Sequence, residues 1–97
     1  MRDPCIRKAI ICHPKDNVAT VISAIKTGTP IIFPNGKKII ARDEIPFAHK
    51  IALRNIRKGN PVIKYGERIG KATHEIGPGE WVHIHNVAGE RGKGRKK

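Results

Sequence analysis

The sequence predicts a mostly β domain with one short α-helix near residues 17–26. Apolar residues occur in brief β-branched runs, of which Ile31-Ile32 and Ile39-Ile40 are typical, and such runs favour strands. Glycine and proline separate the runs, with 10 Gly and 7 Pro among 97 residues, so the strands should be short and joined by tight turns. A chain of this length corresponds to a single domain.

The predicted helix follows Asp16 and Asn17, either of which can cap a helix N-terminus. The next apolar residues have the spacing of one buried helical face: Val18, Val21, Ile22 and Ile25. Lys26 and Gly28 then provide the signals that commonly end a helix. Together these features predict a helix of two to three turns.

The remaining segments predict strands and turns. A β-hairpin is expected across residues 30–41, because the Asn35-Gly36 step favours the positive φ angles of a tight turn. Other extended segments are expected at residues 6–13, at residues 45–53, from Val62 onwards and at residues 80–86. The second half of the chain should therefore consist almost entirely of strands and turns.

Residues 80–86 form the most informative predicted strand. Alternation along it would put Trp81, His83 and His85 on one face. Two imidazoles on one face can bind a single metal ion if further ligands converge on them. The same histidines can instead hydrogen-bond to backbone or solvent at a sheet edge, so the residues alone leave both interpretations open.

Two further pairs of residues are candidates for function. His49 and Lys50 can act as a base and an anion anchor for a carboxylate substrate, or can form an exposed basic edge. Lys64 and Tyr65 offer a cation and a phenol in one turn, although turns also contain such residues for structural reasons. The sequence has no phosphate-binding glycine loop, nucleophile elbow or metalloprotease helix, so no complete catalytic motif is present.

The charge of the chain is strongly positive and unevenly distributed. The formal net charge is +12, and residues 88–97 hold five basic residues and one acid, which leaves +8 for residues 1–87. The last ten residues contain no large apolar side chain that could support a fold. We therefore expect a domain at residues 1–87 and a basic, disordered tail at residues 88–97.

The sequence also predicts the cellular environment. No apolar run approaches the ~20 residues that span a bilayer, and the N-terminus lacks the apolar core of a signal peptide. Cys5 and Cys12 have no zinc-ligand or redox spacing. A cytoplasmic protein with two reduced thiols and no membrane partner is the expectation.

Several motifs together resemble the SAF domain of the altronate and galactarate dehydratase family. They comprise, in order, Asp16-Asn-Val-Ala, Ile45-Pro-Phe-Ala-His-Lys, Pro61-Val-Ile-Lys-Tyr-Gly, Ile69-Gly and Trp81-Val-His-Ile-His-Asn. The resemblance extends from about residue 8 to residue 87. The sequence departs from the family pattern at Phe47-Ala48, where a glycine commonly precedes His-Lys.

The resemblance implies a β-clip fold of short strands that works with a much larger catalytic part. Relatives divided in this way are small subunits of altronate dehydratase or of (2R)-sulfolactate sulfo-lyase. The implied function is therefore that of a lyase subunit, inactive alone, which eliminates water or sulfite from a hydroxy acid. A large dehydratase-like subunit and an acidic small molecule are the expected partners, and exposed strand edges leave a homodimer open.

The resemblance also implies roles for particular residues. His49 and Lys50 are expected to be catalytic, and Lys64, Tyr65 and Asn86 to bind the substrate. His83 and His85 are expected to hold a divalent metal, Fe²⁺ or Mn²⁺, that is shared with the large subunit. In this chemistry a base removes the proton next to a carboxylate, and an acid or a metal assists the leaving group.

Two other classes of function remain as alternatives. The charge of +12 is compatible with a basic β-rich module that binds nucleic acid, but such modules usually place stacking aromatic residues beside their cations. One Trp, one Tyr and two Phe in separate segments do not form such a platform, so nucleic acid is not the expected partner. A purely structural assembly domain is the third possibility.

Overall fold

The computed structural model describes residues 9–34 and 36–89, and these form nine short β-strands and no helix. The strands are β1 (Ala9–Ile10), β2 (Val18–Val21), β3 (Pro30–Ile32), β4 (Lys38–Ile40), β5 (Lys50–Ala52), β6 (Pro61–Lys64), β7 (Glu67–Ala72), β8 (Trp81–Val82) and β9 (Val87–Gly89). Within the described residues, nothing is long and apolar enough to cross a membrane as a helix. The prediction of a mostly β domain is confirmed.

All strand pairs are antiparallel, and they form three small sheets. The first has the strand order β1-β2-β5-β8, the second is the β3-β4 hairpin, and the third has the order β6-β7-β9. The predicted hairpin across residues 30–41 is confirmed, with Gly36 at a φ of 90° in its turn. Asn35, the other residue of the predicted turn step, lies outside the described residues.

Four copies of one turn organise the three sheets. Each begins with a buried isoleucine, reaches a residue with positive φ three positions later, and continues to a buried Ile or Val after three more residues. We name them Ile turns 1 to 4, at residues 25–31, 45–51, 56–62 and 76–82. Ile25 and Ile45 pair in an antiparallel bridge, and so do Ile56 and Ile76. The turns therefore form two pairs.

Within each pair, every turn donates a hydrogen bond to the residue four positions before the start of the other turn. In turn 1 the N–H of Gly28 donates to the carbonyl of Ala41 at 2.8 Å, and in turn 2 the N–H of Ala48 donates to Val21 at 3.0 Å. Turns 3 and 4 repeat this exchange with Gly59 to Ala72 at 2.8 Å and Gly79 to Ala52 at 2.9 Å. The chain thus contains a structural repeat that apolar spacing did not indicate.

Two apolar clusters make up the core, and the central strands β2 and β5 separate them. The first cluster contains Ala9, Ala19, Val21, Ile25, Ile31, Phe33, Ile39, Ala41, Ile45, Ile51 and Leu53. The second contains Val18, Ala52, Ile56, Val62, Ala72, Ile76 and Val82. Because β2 and β5 contribute to both clusters, both of their faces are buried.

The predicted helix near residues 17–26 is wrong, because this segment forms strand β2 and then Ile turn 1. Val18 packs into the second cluster and Val21 into the first. A strand that is buried on both faces carries apolar residues without alternation, which imitates helical spacing. Asp16, the predicted cap, instead accepts backbone hydrogen bonds from residues 65 and 66.

Three other predicted extended segments are shorter than expected. Residues 45–53 contain Ile turn 2, and only Lys50–Ala52 is a strand. The predicted strand at residues 80–86 ends at Val82, and a turn follows. Of residues 6–13, β1 covers Ala9–Ile10, while residues 6–8 lie outside the described part.

The last described strand, β9, extends two residues past the predicted domain boundary at Val87. It pairs with β7 through Gly70 with Gly89, Lys71 with Ala88 and Ala72 with Val87. This pairing requires glycine at position 70, because a Cβ there would lie 2.6 Å from the carbonyl oxygen of Ala88. Residues 90–97 of the predicted tail, like Cys5, lie outside the described residues.

Ala48 should be a site of stored backbone strain, because it has a φ of 71° where the three equivalent residues are glycine. A left-handed conformation costs a non-glycine residue about 1–2 kcal/mol, whereas glycine adds less than about 1 kcal/mol of unfolded-state entropy. We expect Ala48→Gly to raise the free energy of unfolding by about 0.5–1 kcal/mol, measured by urea denaturation. Gly28→Ala and Gly59→Ala are matched controls, because an added Cβ at either position meets no atom within 4 Å.

Both glycine substitutions should lower the free energy of unfolding by about 0.5–1 kcal/mol, because the backbone strain that they introduce exceeds the unfolded-state entropy that they remove. A loss of stability in Ala48→Gly would show that the backbone strain at Ala48 is smaller than the entropy that glycine adds to the unfolded chain.

Candidate functional site

The candidate site lies at the end of the first sheet, where turn 2 leads into β5. Lys50 pairs with Val82 and Ile51 pairs with Trp81, so the antiparallel register brings His49 opposite His83. The His49 and His83 ring centroids are 4.4 Å apart. Two histidines that are 34 positions apart in the sequence are therefore neighbours because of the β5–β8 pairing.

Trp81 is the centre of a histidine–tryptophan cluster, which consists of His49, Trp81, His83 and His85. The indole ring is stacked with His83 at a centroid distance of 5.5 Å and an interplanar angle of 8°. His49 and His85 lie at 5.6 Å and 5.0 Å from it in tilted arrangements. The indole also packs against the first apolar cluster, which anchors the group to the core.

A hydrogen bond joins two members of the histidine–tryptophan cluster directly. The indole Nε1–H of Trp81 donates to Nδ1 of His49 over 3.1 Å. The backbone N–H of Trp81 donates to a carboxylate oxygen of Asp43 at 2.9 Å. Sequence reasoning missed Asp43, since an acid in a turn between two apolar segments gives no signal of a tertiary role.

Asn86 holds the turn that contains His83 and His85. Its side-chain oxygen accepts from the His83 N–H at 2.9 Å, and its side-chain nitrogen donates to the Trp81 carbonyl at 2.8 Å. The Asn86 side chain is 6% exposed. These contacts give it a structural role, and its predicted contact with a substrate stays a prediction.

A second group of predicted residues, the lysine–tyrosine group, consists of Lys50, Lys64 and Tyr65. The Lys64 ammonium lies 3.7 Å from the centroid of the Tyr65 ring, which is a cation–π contact. Lys50 is partly buried, and burial lowers its pKa, with a further lowering from the charge of Lys64 and an opposing effect of Tyr65. The structure therefore brings these three residues near one another, and their predicted roles in catalysis and substrate binding stay predictions.

The turn that carries Tyr65 is fixed by a buried carboxylate. Asp16 is 1% exposed, and its two oxygens accept from the N–H groups of Tyr65 at 3.1 Å and Gly66 at 2.8 Å. Both residues have positive φ. Asp16 thus holds the backbone of the turn that carries Tyr65, and Asn17 bonds to the backbone of Pro61 and Ile63. The sequence had instead predicted that one of these two residues caps a helix.

The two groups are linked electrostatically through Lys50 and His83. Burial lowers the pKa of His83, and the nearby charges of His49, Lys50 and His85 lower it further, in that order. A histidine of this kind is neutral near pH 7, and a neutral imidazole can accept a proton or bind a metal. The arrangement therefore combines cations for an anionic substrate with at least one unprotonated nitrogen.

A metal site is not complete within the part of the chain that the structure describes. No group of three or more His, Cys, Asp or Glu side chains in it is placed to hold a metal ion. His83 and His85 lie in a turn and not in a strand. The strand alternation that predicted a shared face for the two metal-ligand candidates therefore does not apply to them. A divalent ion at this place would require ligands from another polypeptide.

The match to a known family extends over most of the chain. Residues 7–90 match the model of the altronate/galactarate dehydratase SAF domain. The chain belongs to this family. The motifs that suggested the SAF domain in the sequence lie in the elements that build both residue groups, and the all-β fold fits such a domain.

Similar proteins show the SAF domain in two settings. The chain is 36% identical over 82 residues to altronate dehydratase of Bacillus subtilis (strain 168), and this match covers 84% of the chain but 16% of the relative. It is 40% identical over 72 residues to galactarate dehydratase (L-threo-forming) of Escherichia coli (strain K12), covering 72% of the chain and 13% of the relative. The chain thus spans about a sixth or less of these dehydratases.

A smaller relative is matched over most of its own length. The chain is 41% identical over 54 residues to the (2R)-sulfolactate sulfo-lyase subunit alpha of Paracoccus pantotrophus. That match covers 56% of the chain and 81% of the relative. The relatives therefore include dehydratases much longer than this chain and a short sulfo-lyase subunit alpha.

The lowered pKa of His83 should make the SAF domain lose stability in acid. The unfolded state, with an ordinary histidine pKa of 6.5, binds a proton at higher pH than the folded state does. The free energy of unfolding should therefore fall as the pH drops below about 6.5, and His83→Gln should remove part of this fall. Urea denaturation between about pH 5 and pH 8 measures both.

His74→Gln is the matched control, because His74 is exposed and lies outside the histidine–tryptophan cluster. This variant should keep the pH dependence of the unsubstituted chain. An unchanged pH dependence in His83→Gln would contradict the electrostatic account of the cluster.

Proposed function

We propose that this SAF domain is the small subunit of a cytoplasmic lyase that eliminates water or sulfite from a hydroxy acid, together with a separate large catalytic subunit. The observation that carries the proposal is the proximity of Lys50 to Lys64 and of His83 to His49 and Lys50. The names of the relatives, dehydratases and a sulfo-lyase subunit alpha, supply the reaction class.

The lysine–tyrosine group is suited to bind the carboxylate of the substrate. Lys50 and Lys64 repel each other, since the charge of Lys64 lowers the pKa of Lys50. An anion bound between them would relieve this repulsion and the cost of burying Lys50. The Tyr65 side chain is 61% exposed, so its hydroxyl is accessible to a hydroxyl of the same substrate.

Neutralising the substrate carboxylate also assists the reaction itself. Removal of the proton next to a carboxylate places negative charge on that carboxylate, and a nearby ammonium group stabilises it most in a site that excludes water. His49 and Lys50 are the residues of this chain that we assign to the reacting centre. The lowered pKa of His83 keeps its imidazole neutral near pH 7, which is the form that binds a metal.

The predicted divalent metal, Fe²⁺ or Mn²⁺, would need ligands from the large subunit. His83 and His85 can supply two imidazoles, and the described residues provide no third ligand beside them. A bound divalent ion would supply Lewis-acid assistance to the leaving group. We therefore assign the metal, if it binds here, to the interface between the two subunits.

Co-purification of the chain with its natural partners tests the proposed function. The chain is purified from its native cell with the proteins that accompany it, and the complex is assayed on altronate, galactarate and sulfolactate. A large dehydratase-like partner and elimination from one of these acids are the expected result. Recovery with nucleic acid only would favour the alternative of a nucleic-acid-binding module.

In the active complex, Lys50→Met and Lys64→Met should each weaken substrate binding. A hydrogen bond to a charged group contributes about 1.5–3 kcal/mol, so KM should rise by about 10-fold to 100-fold in either variant. Lys26→Met is the matched control, because it removes the same charge at an exposed position of Ile turn 1. An unchanged KM in both Lys50→Met and Lys64→Met would remove the lysine–tyrosine group from the substrate site.

A further inference from the structure

The hydrogen bond between Trp81 and His49 determines which nitrogen of His49 carries a proton. An indole nitrogen has one N–H donor and cannot accept a hydrogen bond. The partner atom, Nδ1 of His49 at 3.1 Å, must therefore be the acceptor. A neutral imidazole has one bare nitrogen and one N–H, so the proton of neutral His49 lies on Nε2.

We propose that Trp81 is a positioning residue that holds His49 as the Nε2–H tautomer, so that this histidine offers the substrate a hydrogen-bond donor and not a base. The tautomer follows from the geometry of this chain alone. Its consequence for a substrate rests on the proposed function, because only that function places an anionic oxygen near His49.

The backbone fixes both partners of this hydrogen bond. On one side, the N–H of Trp81 donates to Asp43 at 2.9 Å, and its carbonyl accepts from the side chain of Asn86 at 2.8 Å. On the other side, the carbonyl of His49 accepts from Val21 at 2.9 Å, and its N–H donates to Pro46 at 3.0 Å. The two rings therefore meet without a further loss of backbone freedom, which makes the bond preorganised.

The surrounding rings also restrict how His49 can be oriented. The His83 ring lies 4.4 Å from the His49 ring and is stacked on Trp81. If the His49 ring turned over, Nδ1 would leave the indole N–H, and the partly buried indole donor would lose its partner. Leaving a partly buried donor without a partner costs free energy, which favours the observed orientation.

This tautomer limits the chemistry available to His49. A general base needs a bare nitrogen that faces the proton it removes. In His49 the bare nitrogen faces Trp81, and Nε2 carries the hydrogen. His49 is therefore suited to donate to a carboxylate or hydroxyl oxygen of the substrate, and the proton acceptor has to be another group, on this chain or on the large subunit.

The tautomer can be measured directly on the full chain without any partner. We would record long-range ¹H–¹⁵N correlation spectra of histidine-labelled protein above the ordinary histidine pKa of about 6.5, with His49→Gln used to assign the His49 signals. The expected result is a bare Nδ1 and a protonated Nε2 at His49. A protonated Nδ1 at His49 would overturn the proposal.

Trp81→Phe tests whether the indole causes this preference. Phenylalanine keeps an aromatic ring in the cluster but removes the N–H donor. In a folded variant, the His49 signals should shift to a mixture of both tautomers. Signals identical to those of the unsubstituted chain would show that Trp81 does not set the tautomer, and the spectrum of the unsubstituted chain remains a test even if the variant does not fold.

Activity in the reconstituted complex distinguishes a donor from a base. Glutamine can place an N–H near the position of Nε2, so kcat/KM of His49→Gln should fall by less than about 10-fold relative to the unsubstituted complex. His49→Leu cannot donate a hydrogen bond, and its kcat/KM should fall by about 10-fold to 100-fold. If His49 were the base, both variants should lose a similar factor, about 100-fold to 10,000-fold. Failure to assemble an active complex would overturn only the proposed function, since the tautomer is read from the spectra.

Discussion

The reciprocal hydrogen bonds between paired Ile turns are the constraint on which the rest of the structure depends. In each pair, the positive-φ residue of one turn donates to the residue four positions before the start of the other turn. Each turn therefore holds the segment that leads into its partner turn. These hydrogen bonds join residues that are far apart in the sequence, unlike the local bonds of a helix. They explain how a chain with strands of two to six residues holds a defined fold.

The candidate site uses only two of the four Ile turns. The positive-φ residue is followed by Thr29-Pro30 in turn 1 and by Asn60-Pro61 in turn 3, and proline suits a position that only needs a rigid strand entry. At the equivalent positions, turn 2 carries His49-Lys50 and turn 4 carries Glu80-Trp81. Turns 1 and 3 thus lead into strands through proline, while turns 2 and 4 place polar and aromatic side chains on the neighbouring strands β5 and β8.

Sequence reasoning identified the mostly β composition, the hairpin and the residues that converge, and it failed where burial or pairing is not local. Val18 and Val21 belong to different apolar clusters, and their spacing alone cannot distinguish a doubly buried strand from a helix. His83 and His85 were grouped by alternation, whereas the β5–β8 register places the His49 ring 4.4 Å from that of His83. The roles of Asp16 and Asp43 depend on contacts about 40 to 50 positions away, which no sequence window contains.

Two carboxylates of this domain hold backbone groups in place, which agrees with the proposal that a partner subunit supplies the rest of the catalytic site. Asp16 accepts from the backbone of the Tyr65 turn, and Asp43 accepts from the backbone of Trp81. Both acids are therefore engaged in holding the lysine–tyrosine group and the histidine–tryptophan cluster in place. What these groups present outward is cationic or imidazole in character, which favours an anionic substrate. Within the part of the chain that the structure describes, no third His, Cys, Asp or Glu completes a metal site with these imidazoles, so carboxylate ligands for a hard divalent ion would come from the proposed large subunit.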